Sequence, residues 1–219
     1  MTAGFQASLL DAGQEFCLGN LGALRRTELA GGAWLDLLPG WVTGADDLFE
    51  RLVRTVPWRA ERRPMYDQVV DVPRLLSWYG KGEPLPDPGL VQAMAALDAR
   101  YGRQLAEPLC TVGLCLYRDG KDSVAWHGDT SGRRVKETIV AILSLGSPRT
   151  FLLRRRPGRA ARHEGSGDEA SGTLRFLLGH GDLLVMGGTC QRTWQHAVPK
   201  SAKATGPRIS VQFRPEGIH

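Results

Sequence analysis

At 219 residues, with 42% hydrophobic and 23% charged residues, the chain can build one full hydrophobic core, and it has no apolar run near the roughly 18 residues of a membrane span. Its four cysteines form no Cys-x-x-Cys pair, which argues against a zinc ribbon or a disulfide scaffold; with no basic-then-apolar leader at the N-terminus, a cytoplasmic protein is expected. The net charge of +5 comes with 23 Arg against 5 Lys; arginine is the better bidentate phosphate ligand, so a nucleic-acid partner suits this charge, as does a simple codon bias.

Residues 1–30 are Gly-rich and weakly patterned, with 15–18 and 24–29 as short strands or covering loops. The apolar stretch 33–38 follows and ends at Pro39-Gly40. Thr43 with Asp46 three residues on resembles a capping box, and Leu48, Phe49, Leu52, Val53 and Val56 have helical spacing. A helix is therefore expected over 44–56, ended by Pro57. Residues 57–88 carry six prolines and read as a long irregular region. It holds Trp58, Tyr66, Trp78 and Tyr79 among Arg59, Arg62, Arg63 and Arg74. Aromatic rings interleaved with arginines can stack bases and hold phosphates; the same rings can simply pin a loop to the core. A second helix is expected at about 89–101, after Pro88.

From residue 109 the pattern changes to strands: 109–117, 138–145, 150–155, 173–178, 182–186, 193–197 and 208–213, with a basic Gly-rich turn over 156–172. Short strands separated by turn signals indicate a sandwich, barrel or jelly roll, and the lack of helices between them argues against a doubly wound parallel sheet. The expected fold is mainly β with N-terminal helices, in one compact domain: an extension over 1–108 packed on a jelly-roll core over 109–219.

Within the core, Trp126-His127-Gly128-Asp129 reads as a strand end. Side chains at i and i+2 share a face, so His127 and Asp129 can project together. Of the other histidines, His219 is terminal, His163 lies in the basic turn and His180 in a tight turn. His196 sits in a late strand, Trp194-Gln195-His196-Ala197-Val198, and late jelly-roll strands return beside early ones. Two imidazoles and one carboxylate on one face, with coordination positions left open, are diagnostic of non-haem Fe(II) oxygenases. His-x-Asp alone is weak, and a solvent-exposed histidine is its commoner meaning.

The last strand sharpens the reading. Along 208–214, Ile209, Val211 and Phe213 alternate with Arg208, Ser210, Gln212 and Arg214. A polar row facing inward is costly unless it binds something charged; facing outward it is an ordinary half-exposed edge. The two arginines are roughly 20 Å apart along an extended strand, too far to grip one carboxylate, so they should do different jobs.

These residues carry a resemblance. Leu116–Asp122, Trp126–Asp129, Ile142–Gly146 with Arg149–Phe151, Gly181–Gly187, Trp194–Pro199 and Pro207–Arg214 occur in the order found in the AlkB family of Fe(II)- and 2-oxoglutarate-dependent dioxygenases. The resemblance covers about 110–214 and is weaker before that, chiefly at Val72-Pro73-Arg74 and Tyr79-Gly80. It implies a double-stranded β-helix with a nucleotide-recognition lid in the N-terminal extension. By the same resemblance His127, Asp129 and His196 bind Fe(II); Arg208 pairs with the distal carboxylate of 2-oxoglutarate; Arg214 lies nearer the metal end, by the cofactor's other carboxylate or Asp129; Tyr117 donates to the cofactor, and Ser210 belongs to its wall. Trp58, Tyr66, Trp78, Trp126 and Ser131 are the candidate substrate contacts. The implied reaction consumes O2 and 2-oxoglutarate, oxidises an N-methyl group on a base such as 1-methyladenine or 3-methylcytosine in DNA or RNA, and releases formaldehyde, succinate and CO2. The target base must be flipped out or already single-stranded.

The chain departs from the family pattern at Ser131, where an acidic base contact is frequent, at Ser210 and Gln212, often Asn and Thr, and at Cys115, often Asn. These departures touch base preference and cofactor affinity and leave the iron ligands intact. The expected protein is a monomer without membrane contact. Two other functions compete: a hydroxylase of protein or small molecules on the same scaffold, and a nucleic-acid-binding module without catalysis.

Overall fold

The computed structural model describes residues 15–65, 68–105, 107–129, 136–156, 172–202 and 206–218, with backbone only at 63–65 and 68–71. The elements are β1 (Cys17–Leu18), β2 (Arg25–Leu29), β3 (Ala33–Leu38), β4 (Val42–Thr43), α1 (Ala45–Thr55), β5 (Arg59–Met65), β6 (Gln68–Tyr79), α2 (Pro88–Tyr101), β7 (Thr111–Tyr117), β8 (Val124–His127), β9 (Val140–Gly146), β10 (Arg149–Arg155), β11 (Leu174–Leu178), β12 (Asp182–Gly188), α3 (Cys190–Thr193), β13 (Trp194–Val198) and β14 (Arg208–Arg214).

Two larger antiparallel sheets and a short β1–β4 pair are formed by the described residues. The large one has the order β2-β3-β12-β9-β14-β7-β6-β5 and the small one β11-β10-β13-β8. This is the expected jelly roll, with the N-terminal segment adding strands to both edges of the large sheet. Its central strands are buried on both faces, which is why β7, β9 and β12 read as nearly continuous apolar runs. Alternation sorts their side chains. Val112, Leu114 and Leu116 of β7, with Ala141, Leu143 and Leu145 of β9, face the layer that holds α1 and α2. Cys115, Tyr117, Val140 and Ile142 face the small sheet and meet Phe151, Leu153 and Trp194 there. Strand β14 lies between β7 and β9, and its Ile209, Val211 and Phe213 join the helix-side core. Its polar row is therefore turned toward the space between the sheets, not toward solvent. All seven residues of β14 are buried.

Two local expectations are corrected. Residues 57–88 are not irregular: β5 and β6 form an antiparallel hairpin that extends the large sheet beyond β7. The prolines are tolerated because Pro64 lies on the outermost strand and Pro73 at a register irregularity, where ladder hydrogen bonds are interrupted. The helix over 44–56 is present as Ala45–Thr55, but Thr43 and Asp46 make no capping box. Gly44 is the cap, in the left-handed region at φ 63° and without a side-chain cap bond, while Asp46 Oδ1 lies 3.3 Å from His180 Nε2. Helix α2 starts on Asp87, whose carboxylate accepts from Gly89 N at 2.8 Å and from Arg51 Nε at 2.7 Å.

Candidate metal and cofactor site

The two sheets enclose a cavity of about 1320 Å³ reaching from the polar row of β14 to the β5–β6 hairpin. At one end His127, Asp129 and His196 bring their ligand atoms within 4.8 Å of one another. Register explains the pair of imidazoles. Strands β8 and β13 are antiparallel neighbours with His127 directly opposite His196, and the ring centroids are 4.2 Å apart. His127 Nδ1 lies 2.9 Å from the Ala125 carbonyl, which can only accept; Nδ1 therefore carries the proton and Nε2 keeps its lone pair for a metal. Burial lowers the pKa of both rings, that of His196 to about 3, so both are neutral donors. Asp129 is 3% exposed, and burial alone would raise its pKa. Arg214 and the two imidazoles outweigh burial and hold it below the usual carboxylate range.

Arg208 and Arg214 make different contacts at the two ends of β14. Arg214 Nε lies 3.3 Å from Asp129 Oδ2 and so supports the metal end. Arg208, 1% exposed, donates Nε to Ser144 Oγ at 3.0 Å and packs over the Tyr117 ring at 5.3 Å. Its Nη1 is buried without a hydrogen-bond partner. A buried guanidinium with an unsatisfied donor facing a cavity could hold a carboxylate, and a dicarboxylate such as 2-oxoglutarate would fit it. Between the two arginines, Gln212 Nε2 donates to Ser210 Oγ at 2.9 Å and lies 3.5 Å from Cys115 Sγ. Burial raises the Tyr117 phenol to about 12, so it stays a neutral donor.

The candidate substrate residues separate. Trp78, 43% exposed, and Trp126 both line the cavity; Trp78 lies 5.7 Å from the Arg214 guanidinium and Trp126 lies under Arg154 at 4.1 Å. Trp58 does not line it: its Nε1 donates to Val53 O at 3.2 Å and its ring packs on the helix-side core. Tyr66 and Ser131, like most of the basic turn, lie outside the described residues.

Two supporting residues were given no role from the sequence, although Arg149 stands in one of the segments that carry the resemblance. Gln191, on the one-turn α3, is 1% exposed and directs Oε1 to the Asp129 amide at 3.3 Å. Gly128 packs closely beside it: a Cβ there would sit 3.0 Å from Gln191 O and 3.2 Å from Trp194 O. Arg149, 2% exposed, donates to the carbonyls of Asp119, Asp122 and Pro199 at 2.9, 2.7 and 2.8 Å, tying the loops beside Tyr117 together.

A mainly antiparallel jelly roll enclosing two imidazoles, a carboxylate and a buried arginine points to a class. A family model for the 2OG-Fe(II) oxygenase superfamily matches residues 35–214. Alpha-ketoglutarate-dependent dioxygenase alkB homolog 3 of Bos taurus is 36% identical over 202 residues, which cover 84% of this chain and 68% of that protein. Its Homo sapiens counterpart is 35% identical, covering 81% and 64%. DNA oxidative demethylase ALKBH2 of Arabidopsis thaliana is 36% identical over 129 residues, covering 54% and 41%. Among solved structures, OsALKBH1 superposes with a TM-score of 0.53 at 17% identity, over 86% of this chain and all of that one. The non-heme alpha ketoglutarate dependent epimerase SnoN gives 0.53 at 16%, over 82% and 77%, and shares the fold alone. The chain belongs to the AlkB family within the 2OG-Fe(II) oxygenase superfamily, as an Fe(II)- and 2-oxoglutarate-dependent dioxygenase. It spans about two thirds of the length of its alkB homolog 3 relatives. No described helix is long and apolar enough to cross a membrane.

Proposed function

We propose that the protein oxidatively demethylates alkylated bases, such as 1-methyladenine and 3-methylcytosine, in DNA or RNA, releasing formaldehyde and succinate. The observation that carries this reading is the single cavity joining the His127–Asp129–His196 cluster to the half-exposed Trp78, an aromatic face on which a flipped base can stack. The relatives' names, alkB homolog 3 and DNA oxidative demethylase, point the same way.

In this reading His127, Asp129 and His196 hold Fe(II). Arg208 takes the distal carboxylate of 2-oxoglutarate on its free Nη1, with Tyr117 as a neutral donor and Ser210 in the cofactor wall. Iron with 2-oxoglutarate and O2 supplies the oxidation of the N-methyl group. The chain supplies the rest: Ala125 O fixes the His127 tautomer, and Arg214 keeps Asp129 ionised. Arg154, over the ring of the cavity-lining Trp126, and the arginine-rich sequence that follows it suit a phosphodiester backbone. The substrate strand and dioxygen are the expected partners of a monomeric enzyme in the cytoplasm.

The test is formaldehyde release from single-stranded oligonucleotides carrying 1-methyladenine or 3-methylcytosine, with Fe(II) and 2-oxoglutarate. Succinate formed without formaldehyde from any methylated strand would point instead to a protein or small-molecule hydroxylase.

A further inference from the structure

Strand β7 carries a buried glycine, Gly113, in a place where its backbone does not call for one. It pairs with a neighbour on each side in regular strand geometry and has no positive φ, so any residue's backbone fits there. A glycine inside a strand weakens it and marks a point where another group comes close. Side chains alternate along β7, so Gly113 shares its face with Cys115 and Tyr117, and all three line the cavity. Tyr117 lies opposite Arg208, Cys115 opposite Ser210 and Gly113 opposite Gln212 on β14. On its other side Gly113 pairs with Trp78 of β6. The row is therefore filled toward Arg208 and bare at 113, between the Arg214 end of β14 and the half-exposed tryptophan.

Neighbours from both adjacent strands take up that space. A Cβ on Gly113 would stand 2.7 Å from Arg214 Nη1, 3.0 Å from Gln212 Oε1 and 3.2 Å from the Trp78 ring. The first of these is well inside van der Waals contact. Arg214 comes from the strand on one side of β7 and Trp78 from the strand on the other, and the two meet over the glycine. The guanidinium carbon lies 5.7 Å from the Trp78 ring centroid, within range of cation–π attraction, while Nε of the same side chain lies 3.3 Å from Asp129 Oδ2. One arginine thus spans from the aromatic face of the cavity to a carboxylate of the metal cluster.

We propose that Gly113 is a positioning residue: having no side chain, it lets Arg214 reach across β7 and hold Asp129 and Trp78 in one arrangement. The part that concerns Trp78 rests on the demethylase reading, which makes that ring the platform for the base; the part that concerns Asp129 needs only the iron site.

The experiment compares wild type, Gly113→Ala, Gly113→Val, Arg214→Met and the double variant of Gly113→Val with Arg214→Met. Without O2 it reads the Fe(II) Kd by isothermal titration. With Fe(II) and 2-oxoglutarate present it reads the Kd for a single-stranded 1-methyladenine oligonucleotide by fluorescence anisotropy, and Tm is recorded for each protein. Strand propensity alone makes valine neutral or stabilising at a buried strand position. Displacement of Arg214 predicts instead that Gly113→Val raises the Fe(II) Kd about tenfold and the oligonucleotide Kd about fivefold or more. Gly113→Ala, which adds only the Cβ, should move both in the same direction by less. In the Arg214→Met background Gly113→Val should change the Fe(II) Kd by less than about twofold, because the side chain it acts through is already gone. A lower Tm with both Kd values unchanged, or an equal rise of the Fe(II) Kd in the two backgrounds, would overturn the proposal. An unchanged oligonucleotide Kd alone would strike the link to Trp78. A wild type that releases no formaldehyde from any methylated strand would overturn the demethylase reading and the Trp78 part with it, while the Fe(II) comparison still decides whether Gly113 acts through Arg214.

Discussion

Arg214 Nε lies 3.3 Å from Asp129 Oδ2, joining residues 85 apart in the chain. The contact places the end of β14 beside the candidate metal ligands, while Arg208 at the other end of the strand lines the proposed 2-oxoglutarate pocket. In the proposed reading one strand serves both halves of the site, which would account for the Arg-x5-Arg spacing.

Replacing Arg214 by Met leaves the Asp129 carboxylate buried without its guanidinium. The Kd for Fe(II), measured without O2 by isothermal titration, should rise about tenfold or more, the usual effect of losing an outer-sphere partner. An unchanged Kd would mean that the contact plays no part in metal binding.

Arg208→Ala removes the carboxylate receptor. The concentration of 2-oxoglutarate needed for half-maximal turnover should rise at least about 30-fold, since stranding a buried carboxylate costs ~2–5 kcal/mol. Iron affinity should hold, because Arg208 makes its contacts with Ser144 and Tyr117, not with the metal cluster.

Gln191→Leu keeps the volume and removes the acceptor for the Asp129 amide. A lost buried hydrogen bond costs ~1–3 kcal/mol, and outer-sphere disruption weakens metal binding about tenfold. A purely structural role for Gln191 would lower Tm while leaving the Fe(II) Kd of the folded protein unchanged; the present account predicts that both move.

Arg149→Met leaves three loop carbonyls without their donor. We expect a destabilisation of ~2–4 kcal/mol, seen as a fall in Tm of about 5–10 °C by circular dichroism. A Tm within about one degree of wild type would show that water replaces the guanidinium at no cost.

Neutralising Arg155, Arg156, Arg159 and Arg162 together should weaken oligonucleotide binding and reduce the slope of log Kd against log salt by up to about one per lost phosphate contact. An unchanged slope would make this turn an ordinary solvated one.

Much of the core was legible because its physics is local. Strands β7, β9 and β12 are buried on both faces and so are apolar throughout, and β14 alternates because one of its faces is a helix-side core and the other a binding site. His127 and His196 could be linked from the sequence because a jelly roll returns late strands beside early ones. The β5–β6 hairpin was not legible: Arg59–Met65 is an outer strand with little to bury, so it lacks apolar periodicity, and its prolines imitate a loop. Gln191 was silent for a different reason. Its role depends on how a one-turn helix docks on the segment between two metal ligands, a tertiary contact without periodicity. Trp58 looked like a base-stacking residue by composition alone, and only packing reveals that it closes the end of α1.

The central claim is tested most directly by one coupled assay on a 1-methyladenine oligonucleotide, following formaldehyde and succinate together in wild type and His127→Ala. The account predicts equimolar formaldehyde and succinate from the wild type, dependent on added Fe(II), and neither product above background from His127→Ala. Formaldehyde release that survives the loss of His127, or a wild type that makes succinate but never formaldehyde, would contradict it.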